Sequence, residues 1–233
     1  MKVELLPGWG IDASALAPLQ QALQSLLPDA NINVHTLPLW RSNQLEEALT
    51  LTEQTLAEDS WLVGWSLGGM LAMQLAARQA KRYKGIISLA SNASFIAQDT
   101  WPYAMPSTVF EAFLTGCKEQ LSSTLKRFVM LCAQGSKDIK AVRKQLQTIQ
   151  DLSAEQATFG LEILAQLNNQ PVLHCSIPQL HLLATDDALV PASAIKPMSQ
   201  ITHCISLQGG HAFVLEQATF CAEKISELMQ AHP

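Results

Sequence analysis

The order of apolar segments predicts an α/β fold: a mostly parallel, doubly wound sheet with a helical insertion. Strand-like runs alternate with helical-period segments up to residue 90, only helical patterns occupy residues 98–170, and the alternation resumes at residue 179. In chain order, Val3 to Leu6 reads as a strand closed by Pro7-Gly8-Trp9-Gly10, and Ser14 to Leu27 has helical periodicity ended by Pro28. A second strand fits Ile32 to Leu37, a second helix Leu45 to Ala57, and a third strand Trp61 to Val63. Leu67 to Gln79 is rich in the helix formers Ala, Leu, Met and Gln, and Ile86 to Ala90 is again strand-like. The insertion holds four helical patterns, at Thr108 to Cys117, Leu121 to Ala133, Ile139 to Ile149 and Ala154 to Leu167. Beyond it come Gln179 to Ala184, Ala192 to Met198, His203 to Leu207 and a final helix from about Glu216 to Met229. These spans divide the chain into a core of residues 1–97 and 171–233 and a helical cap of residues 98–170.

With 233 residues, 48 % of them hydrophobic, the chain can bury one full core and carry an insertion, but two independent domains would be a tight fit. Its net charge of −5 argues against binding nucleic acid or an anionic membrane. The first apolar run is broken by Pro7 and too short for a secretion signal, and no stretch is long enough to span a bilayer, so a cytoplasmic protein is expected. Cys117, Cys132, Cys175, Cys204 and Cys221 are odd in number and form no CxxC pair, which fits free thiols in a reducing compartment. Histidines and cysteines lack metal-ligand spacing and no phosphate-binding loop precedes a helix, so neither metal nor cofactor is expected. A monomer is expected.

Gly64-Trp65-Ser66-Leu67-Gly68 matches the nucleophile elbow G-x-S-x-G, and it lies between a predicted strand and a predicted helix, as in the α/β-hydrolase fold. Small residues two before and two after the serine let a sharp strand-to-helix turn close; the competing account is a glycine-rich turn that only packs a helix on a strand. A serine hydroxyl needs a general base, and among six histidines His211 alone follows a late strand and Gly209-Gly210 in a loop leading to the last helix. The acid should fall between serine and histidine in the chain, where Asp186 and Asp187 follow a predicted strand, and spacing does not separate the two. Oxyanion donors are expected at the backbone N–H of Leu67 and, from the Gly8-Trp9-Gly10 loop, of Trp9. Alternatively, Trp9 only covers the core.

Together with that elbow and Gly69, the segments Leu6-Pro7-Gly8-Trp9-Gly10, Trp101-Pro102, Gly160-Leu161-Glu162-Ile163-Leu164, Asp187-Ala188-Leu189-Val190-Pro191 and Gly210-His211-Ala212 resemble the pimeloyl-acyl-carrier-protein methyl ester esterases of biotin synthesis. The resemblance covers most of the chain. It implies hydrolysis of a pimeloyl methyl ester carried by acyl carrier protein, and it selects Asp187, which stands just before x-Leu-Val-Pro. Acyl-chain contacts carry over to Trp9, Leu67 and Phe128, and carrier contacts to Arg127, Lys140 and Lys144, while Ser123 stands where the family has another basic residue. Two departures are visible: Pro7-Gly8 replaces the family's His-Gly, and the chain begins almost at the loop-bearing strand, so a sheet shortened at that edge is expected.

Six of the fifteen basic residues, Lys126, Arg127, Lys137, Lys140, Arg143 and Lys144, fall between residues 126 and 144 with a single acid, Asp138. Such a face could steer an acidic partner, or be an ordinary solvated helical surface. Other readings of the chain are an esterase, thioesterase or lactonase for another small ester, a C–C hydrolase or lyase, and a noncatalytic binding protein of the same fold.

Overall fold

In the computed structural model, which describes residues 1–146 and 152–232, six strands form: Lys2–Leu6 (β1), Asn31–Val34 (β2), Ser60–Trp65 (β3), Tyr83–Leu89 (β4), Gln179–Ala184 (β5) and Cys204–Leu207 (β6). They pair in parallel in the order β2-β1-β3-β4-β5-β6. β3 (SWLVGW) is buried along its whole length, as a strand covered on both faces must be. Opposite each other lie Leu6 and Gly64 across β1 and β3, and Trp65 and Leu89 across β3 and β4. The carboxyl ends of the three central strands therefore stand level, and this edge is where an open α/β sheet presents its loops to ligands.

Helices Ala17–Leu26 (α1), Leu45–Glu53 (α2) and Leu67–Arg78 (α3) connect the first strands. Nine of the twelve residues of α3 are buried, and it packs on β1, β3 and β4, so the turn that launches it is fixed from several sides. The insertion after β4 contains Ser107–Glu119 (α4), Leu121–Ala133 (α5), Ile139–Gln145 (α6) and Ala154–Gln166 (α7). Ser153 and Gln156 close a reciprocal capping box at the start of α7. For the third inserted helix, predicted to Ile149, residues 147–149 lie outside the described residues.

After β5 come a short helix, Ile195–Ser199 (α8), then β6, Phe213–Glu216 (α9) and Ala218–Ala231 (α10). The final helix expected from about Glu216 is thus two pieces, with Gln217 non-helical between them and its side-chain amide donating to the Gln208 carbonyl. β2 ends at Val34 rather than at Leu37. Its last link to β1 is His35 N–H to Leu5 O at 2.9 Å, and the chain of β1 then leaves the sheet through Pro7, which has no N–H to offer.

The inserted helices are tied to the loops at the carboxyl edge. Ala212 N–H donates to the Cys132 carbonyl at 3.1 Å, and the Glu216 carboxylate accepts the N–H groups of Lys137 and Asp138 at 3.1 and 2.8 Å. On the other side, Asn169 N–H donates to Ala93 O at 2.6 Å, and the buried Trp101 indole donates to Asn92 Oδ1 at 2.9 Å.

One polar chain crosses the sheet core. Gln179 uses its amide N–H groups on backbone carbonyls, so its Oε1 accepts from His181 Nε2–H at 3.0 Å, leaving Nδ1 to accept from Ser88 Oγ–H at 2.7 Å. Burial, with the nearby His203 second, pushes the His181 pKa down to about 3, so this imidazole is neutral.

Candidate active site

Ser66 occupies the turn between β3 and α3 with φ 54° and ψ −118°, a conformation L-residues rarely adopt. The flanking glycines explain how the turn closes. A Cβ on Gly64 would lie 2.2 Å from Gly69 N, and one on Gly68 would lie 2.4 and 2.5 Å from the Leu6 and Pro7 carbonyl oxygens. The absence of those two carbons lets the start of α3 press against the end of β1, which brings the Gly8-Trp9 turn to the serine. Ser66 N–H donates to Leu89 O at 2.8 Å, and Ser91 Oγ–H donates to Ser66 O at 2.8 Å, so the turn is held on both sides of the residue.

His211 is fully buried in the loop between β6 and α9. Its Nδ1–H donates to Asp187 Oδ2 at 2.8 Å, and its carbonyl accepts the Trp65 indole N–H at 3.0 Å. The other oxygen of Asp187 accepts Leu189 N–H at 2.7 Å and Val190 N–H at 2.9 Å. With Nδ1 protonated toward the carboxylate, Nε2 carries the lone pair; it is buried and has no hydrogen-bond partner among the described residues. Asp186, by contrast, is exposed and among the described residues accepts only the Thr185 hydroxyl, at 3.1 Å. The two aspartates that spacing left equivalent thus occupy different environments, and Asp187 alone meets the histidine.

Around the serine the inserted helices complete a narrow cleft with walls that include Trp9, Phe95, Phe110, Phe113 and Phe128 and with Arg127 as its one charged lining residue among the described residues. Trp9, Arg127 and Phe128 therefore reach the cleft. Leu67 is fully buried and its side chain is not part of the wall, whereas Lys140 and Lys144 stand exposed on α6, away from the lining. The N–H groups of Trp9 and Leu67 have no partner among the described residues, the latter because the first turn of a helix leaves its donors free.

Sequence reasoning missed Ser91 and most of the cleft wall. Ser91 carries no motif, and Met105, Val109, Phe110, Leu161 and Leu164 look like ordinary apolar stripes of α4, α7 and the segment before them. Trp65 carried a family signal without a role, and its bond to the histidine carbonyl supplies one. The buried thiols offer no competing nucleophile: burial, and secondarily the Asp187 charge, hold Cys132 well above the usual range, and burial holds Cys117 at about 11 and Cys221 at about 12.

A strained serine at a strand-to-helix turn and a buried Asp–His pair at the same sheet edge define an α/β-hydrolase, and the chain matches the alpha/beta hydrolase fold family over residues 37–218. The solved esterase of Exiguobacterium antarcticum superposes with a TM-score of 0.84 at 15 % identity, covering 98 % of this chain and 92 % of that one, a likeness of fold alone. By sequence the chain belongs to the pimeloyl-[acyl-carrier protein] methyl ester esterase family. It is 30 % identical over 235 residues to the member from Vibrio parahaemolyticus, covering 94 % of this chain and 91 % of that protein, and 32 % identical over 202 residues to the member from Serratia marcescens, covering 80 % and 76 %. It is also 38 % identical over 215 residues to the biotin biosynthesis bifunctional protein BioHC of Cellvibrio japonicus, covering 89 % of this chain but only 43 % of that protein. No helix among the described residues is long and apolar enough to cross a membrane.

Proposed function

We propose that the protein hydrolyses the methyl ester of a pimeloyl chain held on acyl carrier protein, releasing methanol. The observation that carries the reading is the Asp187–His211 hydrogen bond, which orients a buried imidazole with its basic Nε2 unpartnered at the sheet edge that bears Ser66. Nε2 takes the Ser66 proton as Oγ attacks the ester carbonyl carbon. The N–H groups of Trp9 and Leu67 stabilise the resulting oxyanion, and His211 then hands its proton to the departing methoxide. Water attacks the acyl-enzyme, passing its proton to His211, and the carboxylate product leaves as Ser66 is reprotonated.

Family membership supports the acyl group, and the apolar cleft suits a methylene chain. The inserted helices α4 to α7 act in this reading as the cap over that chain. Carrier binding draws support from charge: Lys126, Arg127, Lys137, Lys140, Arg143 and Lys144 are all exposed, and none forms an ion pair among the described residues, whereas Arg78, Arg82, Lys84, Lys118 and Lys224 do. Unpaired cations of this kind attract an acidic partner without first breaking internal bonds. Five free cysteines support a reducing compartment.

Methanol release from pimeloyl-acyl-carrier-protein methyl ester, with Ser66→Ala as control and a short generic ester alongside, tests the reading. Ser66-dependent release that strongly favours the carrier-bound ester is expected. Turnover of the generic ester alone would retain the hydrolase and discard the named substrate.

A further inference from the structure

We infer that the Trp9 indole is a strut by which helix α7 sets the position of the oxyanion-stabilising Trp9 amide, with Gly160 and the Ala157 carbonyl as its seat. The inference rests on the hydrolase reading above, in which that amide is a donor.

The two ends of Trp9 are fixed to different parts of the molecule. Its backbone belongs to the turn after β1, where a Cβ on the preceding Gly8 would come within 3.3 Å of Ser66 Cβ. Its ring, 3 % exposed, reaches into the insertion. There Nε1–H donates to Ala157 O at 3.0 Å, a buried bond between residues 148 apart in the chain. The same ring meets Phe128 of α5 edge to face at 4.9 Å between centroids and Phe113 of α4 at 5.6 Å. One side chain is thereby gripped by three of the four inserted helices.

Gly160 shows that the grip is close. A Cβ there would stand 2.7 Å from Trp9 Cδ1, 2.8 Å from Nε1 and 3.2 Å from Cζ3 of Trp40. Glycine inside a helix is unfavourable relative to alanine, and here the sequence keeps one where the indole has to lie against the α7 backbone. Only two side-chain torsions separate the gripped ring from the Trp9 backbone, and an indole pinned by a hydrogen bond and two ring contacts cannot absorb a displacement by rotating freely. Movement of α7 against the core is therefore passed to the amide. Hydrogen bonds to a developing oxyanion lose their value when misdirected, since the donors act through their preset geometry. Gly160 and Ala157 touch no reacting atom in this account; they are positioning residues.

The test is Gly160→Ala in the full chain, assayed on 4-nitrophenyl butanoate, with turnover expressed per Ser66 titrated by a fluorophosphonate. The expected result is a fall in kcat of roughly 10- to 100-fold, part of what losing one oxyanion donor costs, with KM within about twofold. The inhibition constant of a boronic acid, which forms a tetrahedral adduct on the serine, should rise by a comparable factor. In a Trp9→Phe background, where the smaller ring vacates the space and the Nε1–H is gone, the same change should have little further effect. Trp9→Phe by itself should lower kcat per site and weaken the boronic acid by a comparable factor, whatever its effect on KM through the cleft wall, and this holds the inference to account if Gly160→Ala does not fold.

Unchanged kcat per titrated serine in either variant would overturn it, as would an equal loss from Gly160→Ala in both backgrounds or, for Gly160→Ala, a change confined to KM. Wild-type protein that cleaves the nitrophenyl ester but not the carrier-bound methyl ester refutes the proposed substrate and leaves the strut standing. Wild-type protein that cleaves neither overturns the strut together with the hydrolase reading.

Discussion

Asp187→Asn preserves side-chain size while removing a charge and one acceptor, and the geometry dictates how the asparagine must sit. In the native protein one carboxylate oxygen accepts Leu189 N–H at 2.7 Å and Val190 N–H at 2.9 Å, and the other accepts His211 Nδ1–H at 2.8 Å. Asparagine has a single acceptor oxygen, and two backbone donors hold it on the loop side because a buried N–H without an acceptor is costly. The amide NH₂ then faces His211, whose Nδ1 must accept, so the ring proton moves to Nε2. That is the nitrogen required to take the Ser66 proton. An error of this kind in a serine triad costs about 10⁴ in kcat, roughly 5.5 kcal/mol of transition-state stabilisation. Steady-state turnover of a 4-nitrophenyl ester, corrected for titratable serine and accompanied by an unfolding midpoint to show that the fold persists, measures the loss. Asp186→Asn, at an exposed side chain bonded to the Thr185 hydroxyl, should stay within about twofold of the parent. A loss under about tenfold for Asp187→Asn, or a larger loss for Asp186→Asn, would refute the reasoning.

Ser66→Ala should abolish turnover and leave the urea midpoint nearly unchanged, whereas Ser66→Gly, which relieves the strain at φ 54°, should raise stability by about 1 kcal/mol; equal midpoints for the two would show that the turn is unstrained. Gly64→Ala is expected to cost at least about 3 kcal/mol or prevent folding, because its Cβ would lie 2.2 Å from a backbone nitrogen; a soluble, fully active variant contradicts the packing described. Reversing the charges at Lys140 and Lys144 to Glu should raise KM for the carrier-bound ester roughly tenfold at low salt and hardly at all at high salt, and a salt-independent effect would argue against an electrostatic role. His181 gives the protein an acid-sensitive core: its folded pKa of about 3 lies below the unfolded value, so the unfolded chain binds the extra proton between about pH 6.5 and 3 and stability falls as pH drops through that window. At pH 5 the loss from this group is about 2 kcal/mol relative to pH 8, and urea titrations of wild type and His181→Gln at both pH values should differ by that pH-dependent amount; parallel pH dependence would remove His181 as the cause.

The succession of strands and helices along the chain and the serine turn were legible in the sequence because both depend on neighbours a few residues apart. The buried run of β3, the glycines at 64 and 68, and the helix formers of α3 restrict the backbone within a dozen residues, and no distant partner is needed to recognise them. His211 was legible for a related reason, since its place before the last helix follows from chain order. The third member of the candidate site was not legible from spacing, and at the sequence level the family resemblance alone selected Asp187. Asp186 and Asp187 have the same side chain and adjacent positions, and what separates them is the direction in which the turn after β5 aims each carboxylate. The Leu189 and Val190 amides and the His211 ring show that direction. The cleft is likewise a product of tertiary structure, because its aromatic wall combines β1-loop, α4 and α5 residues whose separate patterns read as ordinary buried stripes. Gly160 shows the division most clearly. Composition marks it as an unfavourable residue within a helix, but its meaning is that a Cβ there would come within 2.7 Å of the Trp9 ring from the far end of the chain, and through-space contacts of that kind leave no periodicity or spacing in the sequence.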